Sequence, residues 1–272
     1  MFPLRLFSLL TVLGCVAVVS ARVAAPPPIA LRIASADVVF VGKVTGFGDK
    51  MVPADLEKGD DRQMQIANVE VSQKVLGQVG KKVQVGFFPA MGRRPGLQLE
   101  PNDEALFLVR QHPKRKNTYV AEMYYSAVRE KDNPQFKAQI EEAKSAAKLL
   151  ANPLVGLKSK DADERYLTAA VLITRYRRAT PGATLETVPA VESKLILEAL
   201  AEADWQGRNP KFFLVPPRGL FGQLGITEKD GWMPPMNFAE YDIQAKKWLK
   251  ANAEKFKLQR YVTPKTGLSE EP

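Results

Sequence analysis

The sequence predicts an α+β protein: a five-stranded β-barrel of the oligonucleotide/oligosaccharide-binding (OB) type, followed by an irregular α-helical domain. Three observations predict it. Between residues 36 and 128 apolar residues alternate with a period of two through five short segments, and from residue 134 onward the period becomes that of helices. The third is the first strand, "ADVVFVGKVTGF" (Ala36 to Phe47). It places Val38, Phe40 and Val44 on one face and Val39 and Val41 on the other, with Gly42 interrupting the run. In a small barrel the first strand is long and bends to pair with both halves, and a glycine allows that bend with little steric conflict. One face of the doubly apolar stretch then meets the barrel interior, and the other meets a covering element.

The chain opens with "MFPLRLFSLLTVLGCVAVVSA", a short segment with Arg5, an uncharged apolar run and small residues at Ser20 and Ala21. This is the pattern of an export signal over residues 1–21, with Ala24 and Ala25 as alternative cleavage ends. Protein of this kind works in the periplasm or outside the cell, without a transmembrane anchor in the mature chain. Cys15, the lone cysteine, follows Gly14 and offers a lipoprotein alternative. Against that, the apolar run continues past it and Leu13 is bulky where such sites favour small residues. With ordinary cleavage the mature chain has no thiol, so disulfides, thiolate catalysis and cysteine metal sites drop out together.

The net charge of +9 is spread evenly: residues 22–133 and 134–272 each carry +4. Neither half is a basic arm, which speaks against nucleic acid as a partner. Residues 22–32, "RVAAPPPIALR", read as a proline-rich lead-in in which Pro26, Pro27 and Pro28 favour an extended tether.

Within the predicted barrel (residues 33–130) the polar loop "MVPADLEKGDDRQ" follows the first strand. Ala67, Val69 and Val71 then alternate with Asn68, Glu70 and Ser72. Val83, Val85 and Phe87 share a face of the third strand. In the fourth, Leu106 and Leu108 lie on one side and Phe107 and Val109 on the other. The fifth, "TYVAEMYYSAV", pairs with the fourth across the turn "HPKRKN". The segments "ADVVFVGKVTGF", "ANVEVSQKVLGQVGKKVQVGFF" and "PNDEALFLVR" resemble the bacterial relatives of the tissue inhibitor of metalloproteinases and netrin-like domain, over roughly residues 33–128. The resemblance implies an OB barrel in an exported protein. The animal inhibitors chelate a protease's zinc through an amino-terminal cysteine, which this sequence lacks, so that activity is not carried over.

The helical domain (residues 134–262) begins with "PQFKAQIEEAKSAAKLLA", where Phe136, Ile140, Ala143, Ala147 and Leu150 keep helical spacing. Asp161 and Glu164 open the next helix as a capping box. Pro189 starts a third, with Val191, Leu195 and Leu200 near one face, and a last helix turns Phe238, Tyr241, Ile243, Ala245 and Trp248 inward. The helices around 149–178 weakly resemble a HEAT-type repeat, without a second copy. Residues 263–272 read as a flexible tail.

No catalytic constellation stands out. His112, the only histidine, reads as a solvated turn residue, and neither a zinc site nor a serine triad can be assembled around it. Asp60, Asp61, Asp103 and Glu104 lack the alternating spacing of a calcium loop. No metal or cofactor is implied. The expected function is non-enzymatic binding or scaffolding, with a protein or acidic envelope polymer as partner. The alternatives are a protease-inhibitor-like module acting without cysteine, and a cell-wall hydrolase using two carboxylates. The candidate contacts are Arg93, Arg94, Lys114, Arg115 and Lys116 on barrel loops, and Trp205, Phe213 and Trp232 from the aromatic, proline-rich region 204–241, where packing down on the domain is the leading role and partner binding its rival.

Overall fold

In chain order the first half contains a short helix α1 (Ile29–Ala34) and strands β1 (Val38–Phe47), β2 (Val52–Pro53), β3 (Gln63–Leu76), β4 (Lys82–Phe87), β5 (Glu104–Gln111), β6 (Thr118–Ala121) and β7 (Ala127–Arg129). The computed structural model describes residues 26–90, 96–180, 182–208 and 215–262; the predicted export signal, Cys15, and the predicted tail lie outside them. Five strands close on themselves in the order β1-β3-β4-β6-β5, with β5 returning to β1. Every neighbour is antiparallel apart from β4 and β6, which run parallel. This is the predicted OB-type barrel.

The first strand behaves as its sequence requires. β1 pairs with β3 on one edge and β5 on the other, and its register with β3 slips between Val41 and Gly42. A Cβ on Gly42 would lie 2.7 Å from Val69 Cγ1 and 2.9 Å from the Glu70 carbonyl oxygen, so the bend closes on space only glycine leaves. Val38, Phe40 and Val44 join Val69, Val85 and Phe107 in the barrel interior, where Phe40 stacks on Phe107 at 5.1 Å. Val39 and Val41 turn outward with Leu106 and Leu108 into a second apolar cluster.

The covering element on that outer face is α1, and here the expectation of an extended tether is corrected. Residues 29–34 are a buried helix whose Ile29, Ala30 and Ile33 pack against the outer barrel face. The prolines stop at Pro28, and Ile29 and Ile33 are one turn apart. A six-residue helix is unstable alone, so the apolar surface it covers sustains it.

The second half comprises α2 (Phe136–Ala151), α3 (Pro153–Leu157), α4 (Ala162–Tyr176), strand β8 (Thr184–Thr187), α5 (Ala190–Glu202), α6 (Pro217–Gln223), α7 (Tyr241–Asn252) and strand β9 (Gln259–Val262). Phe136, Ile140 and Ala143 of α2 and Val171 of α4 complete the cluster over α1, so barrel and helices share one apolar seam. The Asp161 carboxylate caps α4 by accepting the Asp163 N–H at 2.8 Å. Glu164 does not complete the predicted box, because Ser159 mediates it: its hydroxyl donates to Glu164 at 2.5 Å and accepts the Asp161 N–H at 3.1 Å.

A separate core fills the helical domain around Phe221, which meets Trp205, Trp232, Tyr241 and Trp248 edge to face. Val191 and Ile243, expected to face inward, are exposed, since α5 and α7 bury Ile196, Leu197, Ala245 and Leu249 instead. The ribbon of β8 and β9 pairs segments about seventy residues apart and was not foreseen.

Candidate functional site

The predicted fifth strand is interrupted. β6 and β7 both pair with the same edge of β5, and between them residues 122–126, "EMYYS", leave the ladder. Ser126 closes this excursion: its N–H donates to the Met123 carbonyl at 2.9 Å and its hydroxyl accepts the Met123 N–H at 3.1 Å. The excursion stands beside α1 and walls two cavities at the seam between barrel and helices. One, of about 460 Å³, is bounded by Leu31, Leu108, Val120, Met123 and Tyr125, with Thr174 on its helical side. The other, of about 340 Å³, lies toward Tyr124, Leu97, Arg129 and Gln139. Arg32 and Tyr125 line both.

Arg32 is 8% exposed. Its guanidinium lies 5.6 Å from the Tyr125 ring centroid, and Nη2 donates to the Tyr125 carbonyl oxygen. That is its one hydrogen bond among the described residues, although a guanidinium carries five N–H donors. Its Nε is buried without an acceptor, and the nearby carboxylate of Glu142 forms no ion pair with it. Burial lowers the Arg32 pKa to about 10, which still leaves it charged. Gln139 adds a second unmet group, its buried amide oxygen. Arg110, on the rim of the larger cavity, is by contrast paired with Glu122 at 3.2 Å.

The basic hairpin between β5 and β6 is differently arranged from what its sequence suggests. His112 is buried, correcting the expectation of a solvated turn residue. Its Nδ1 accepts the Lys114 N–H at 3.0 Å, so Nε2 carries the proton that is donated to the Ala54 carbonyl at 2.9 Å. Lys114 pairs with Asp55 at 3.1 Å and Arg115 donates to the Pro53 carbonyl at 3.0 Å. Two of the three predicted basic contacts therefore bind the hairpin to the β2 segment, and Lys116 stands exposed beside them. Asn117, with φ of 53°, supplies the left-handed residue that turns the chain back.

Trp232 is a core residue at 8% exposure, which fits the packing role expected of region 204–241 and corrects its rival role as a surface contact; Trp205 is partly buried and donates from Nε1 to the Leu200 carbonyl at 2.8 Å. Arg93, Arg94 and Phe213 lie outside the described residues. Two of the four acidic candidates are internally neutralised: Asp60 is held at about 2 by hydrogen bonds from Arg62, and Asp103 accepts from Lys131 at 2.8 Å and Arg129 at 3.4 Å, while Asp61 and Glu104 are exposed. Among the described residues no group of three or more His, Cys, Asp or Glu is placed to hold a metal ion, and no helix is long and apolar enough to cross a membrane.

Sequence reasoning missed Arg32, Tyr125 and Gln139. The one signal was a lone arginine inside "IALRIA", visible only if that segment is read as a buried helix. No protein-family model and no curated protein matches the chain. The class that fold and site define is thus an OB-type barrel joined by an apolar seam to a helical domain, with a cleft at the joint.

Proposed function

We propose that the protein is an exported, non-enzymatic binding module that holds a protein or acidic envelope partner at the cleft between barrel and helices. One observation carries this reading: Arg32, a buried cation with most of its donors unspent, lining two cavities. Burying a charge without a partner is costly, and such a group is retained where a ligand completes it. The even arrangement of structural ion pairs elsewhere supports a binding role over proton-transfer chemistry, because His112 has both nitrogens engaged and Asp60 and Asp103 are each tied to cations. The netrin-like resemblance of residues 33–128 and the export pattern of residues 1–21 fit a module of the envelope or its exterior. Exposed Lys116, on the hairpin that follows the Arg110 rim, adds attraction for an acidic partner.

A photo-crosslinking amino acid placed at Met123, on the cleft wall, and at Leu185, exposed on β8 away from it, tests the reading in an envelope extract. Partner adducts at position 123 and none at 185 are expected. Equal labelling at both positions, or none at either, would overturn it.

A further inference from the structure

The chemistry left unmet in the cleft specifies its guest more narrowly than the binding reading on which this inference rests. From the unspent groups and the cavity walls, we infer that the cleft binds an N-acylated amino-acid carboxylate, the chemistry found at a peptide's C-terminus. Three features of the site each demand one part of such a ligand.

The Arg32 guanidinium needs an acceptor. Its one hydrogen bond goes to the Tyr125 carbonyl, and no carboxylate pairs with it. A carboxylate matches its planar fork, giving two parallel charge-assisted hydrogen bonds. A single unpaired cation favours a monoanion over a phosphate dianion, for Arg110 is already neutralised by Glu122 and Arg129 by Asp103 and Asp132. Gln139 lines the smaller cavity, which shares Arg32 and Tyr125 with the larger one, and its unpartnered amide oxygen, covered as the side chain stands, gains a donor when the side chain turns toward a guest's amide N–H, which a simple fatty acid does not supply. Leu31, Leu108, Val120 and Met123 offer an apolar wall for a side chain, and a volume of about 460 Å³ is that of a small-molecule pocket. Tyr125 provides a ring face beside the guanidinium, which lies 5.6 Å from the ring centroid.

The test is titration of N-acetyl-leucine, N-acetyl-leucinamide and hexanoate into the purified protein, followed by amide NMR shifts at Tyr125, Ser126 and Gln139. N-acetyl-leucine should bind saturably with shifts confined to the cleft, and the amide should bind about tenfold or more weakly, the loss expected for a charged hydrogen-bonded pair. Equal binding of the amide would overturn the carboxylate contact, and equal binding of hexanoate would overturn the contact to Gln139. N-acetyl-alanyl-leucine identifies the source: binding at least as tight supports a peptide terminus, and binding tenfold weaker overturns it in favour of the free N-acyl amino acid.

Arg32→Met keeps the side chain's stem and should abolish these shifts. Ser35→Trp, at an exposed position on the cleft's edge, should do the same by occlusion without touching the guanidinium. Persistence of N-acetyl-leucine binding in both variants would overturn the site. Absence of any cleft shift with all four probes would overturn the ligand class alone, because site-specific crosslinking at Met123 reads out the binding role independently.

Discussion

His112 and Arg32 are both buried, and their surroundings treat them in opposite ways. Each imidazole nitrogen of His112 has a fixed role, Nε2–H toward Ala54 and Nδ1 toward the Lys114 N–H. Protonation would set a new N–H at Nδ1 against the Lys114 N–H. Burial chiefly, helped by the Arg115 and Lys114 charges and opposed by Asp55 and the Ala54 hydrogen bond, lowers its pKa from 6.5. The unfolded chain therefore takes up the proton more readily, so this residue's contribution is complete above about pH 6.5 and declines as pH falls through the lowered folded value. Urea unfolding of wild type and His112→Gln at pH 7.5 and 5.5 should show the gap between them shrinking at the lower pH; a constant gap would refute the lowered folded-state pKa. Arg32 has one such partner, the Tyr125 carbonyl, and no counter-charge paired with it. Replacing an unpaired buried charge with an apolar side chain of similar length is neutral or stabilising, so Arg32→Met should leave the urea midpoint unchanged or raised. A fall of about 2 kcal/mol or more would mean Arg32 holds the fold together rather than serving a ligand.

At the scale of elements, β1 shows how far a pattern can be read. Its two apolar faces and its glycine were legible, since alternation assigns faces and a doubly apolar strand needs two partners. Gly42→Ala should destabilise by about 1–3 kcal/mol, because Val69 and the Glu70 carbonyl leave its Cβ no room; a thermal melt within a degree of wild type would refute the tight crossing. The start of α4 was legible too, since an aspartate before a periodic run satisfies a free N–H. Asp161→Ala should cost about 1 kcal/mol by chemical denaturation. The split of the fifth strand was not legible. "TYVAEMYYSAV" keeps an acceptable strand composition throughout, and only the competing pairings of β6 and β7 along β5 push residues 122–126 outward. That excursion is the cleft wall, so the site was hidden where the strand pattern looked most regular.

For the whole molecule, the seam built from α1, the outer barrel face, α2 and α4 joins the two halves. Polar contacts reinforce it: Arg178 pairs with Asp37 at 2.7 Å, and Arg175 donates to the Ala36 carbonyl at 2.5 Å. A shared core couples the stability of the parts. All three tryptophans, Trp205, Trp232 and Trp248, lie in the helical half, so their fluorescence reports that half while amide NMR follows the barrel strands. The two probes should give coincident urea transitions; a barrel that persists after the tryptophan signal is lost would show two independent units.

The sequence by itself determined the succession of strands and helices, the two faces of the first strand, the hairpin tip and the cap of α4. These are local matters of periodicity, turn chemistry and backbone hydrogen bonding over a few neighbouring residues. Only the tertiary structure decided that residues 29–34 are a wedge and not a tether, that His112 is buried, and that Arg32 meets Tyr125 at a cleft that Gln139 also lines. Each of those depends on which distant surfaces cover a segment, and burial is set by pairings across the fold that no local pattern contains.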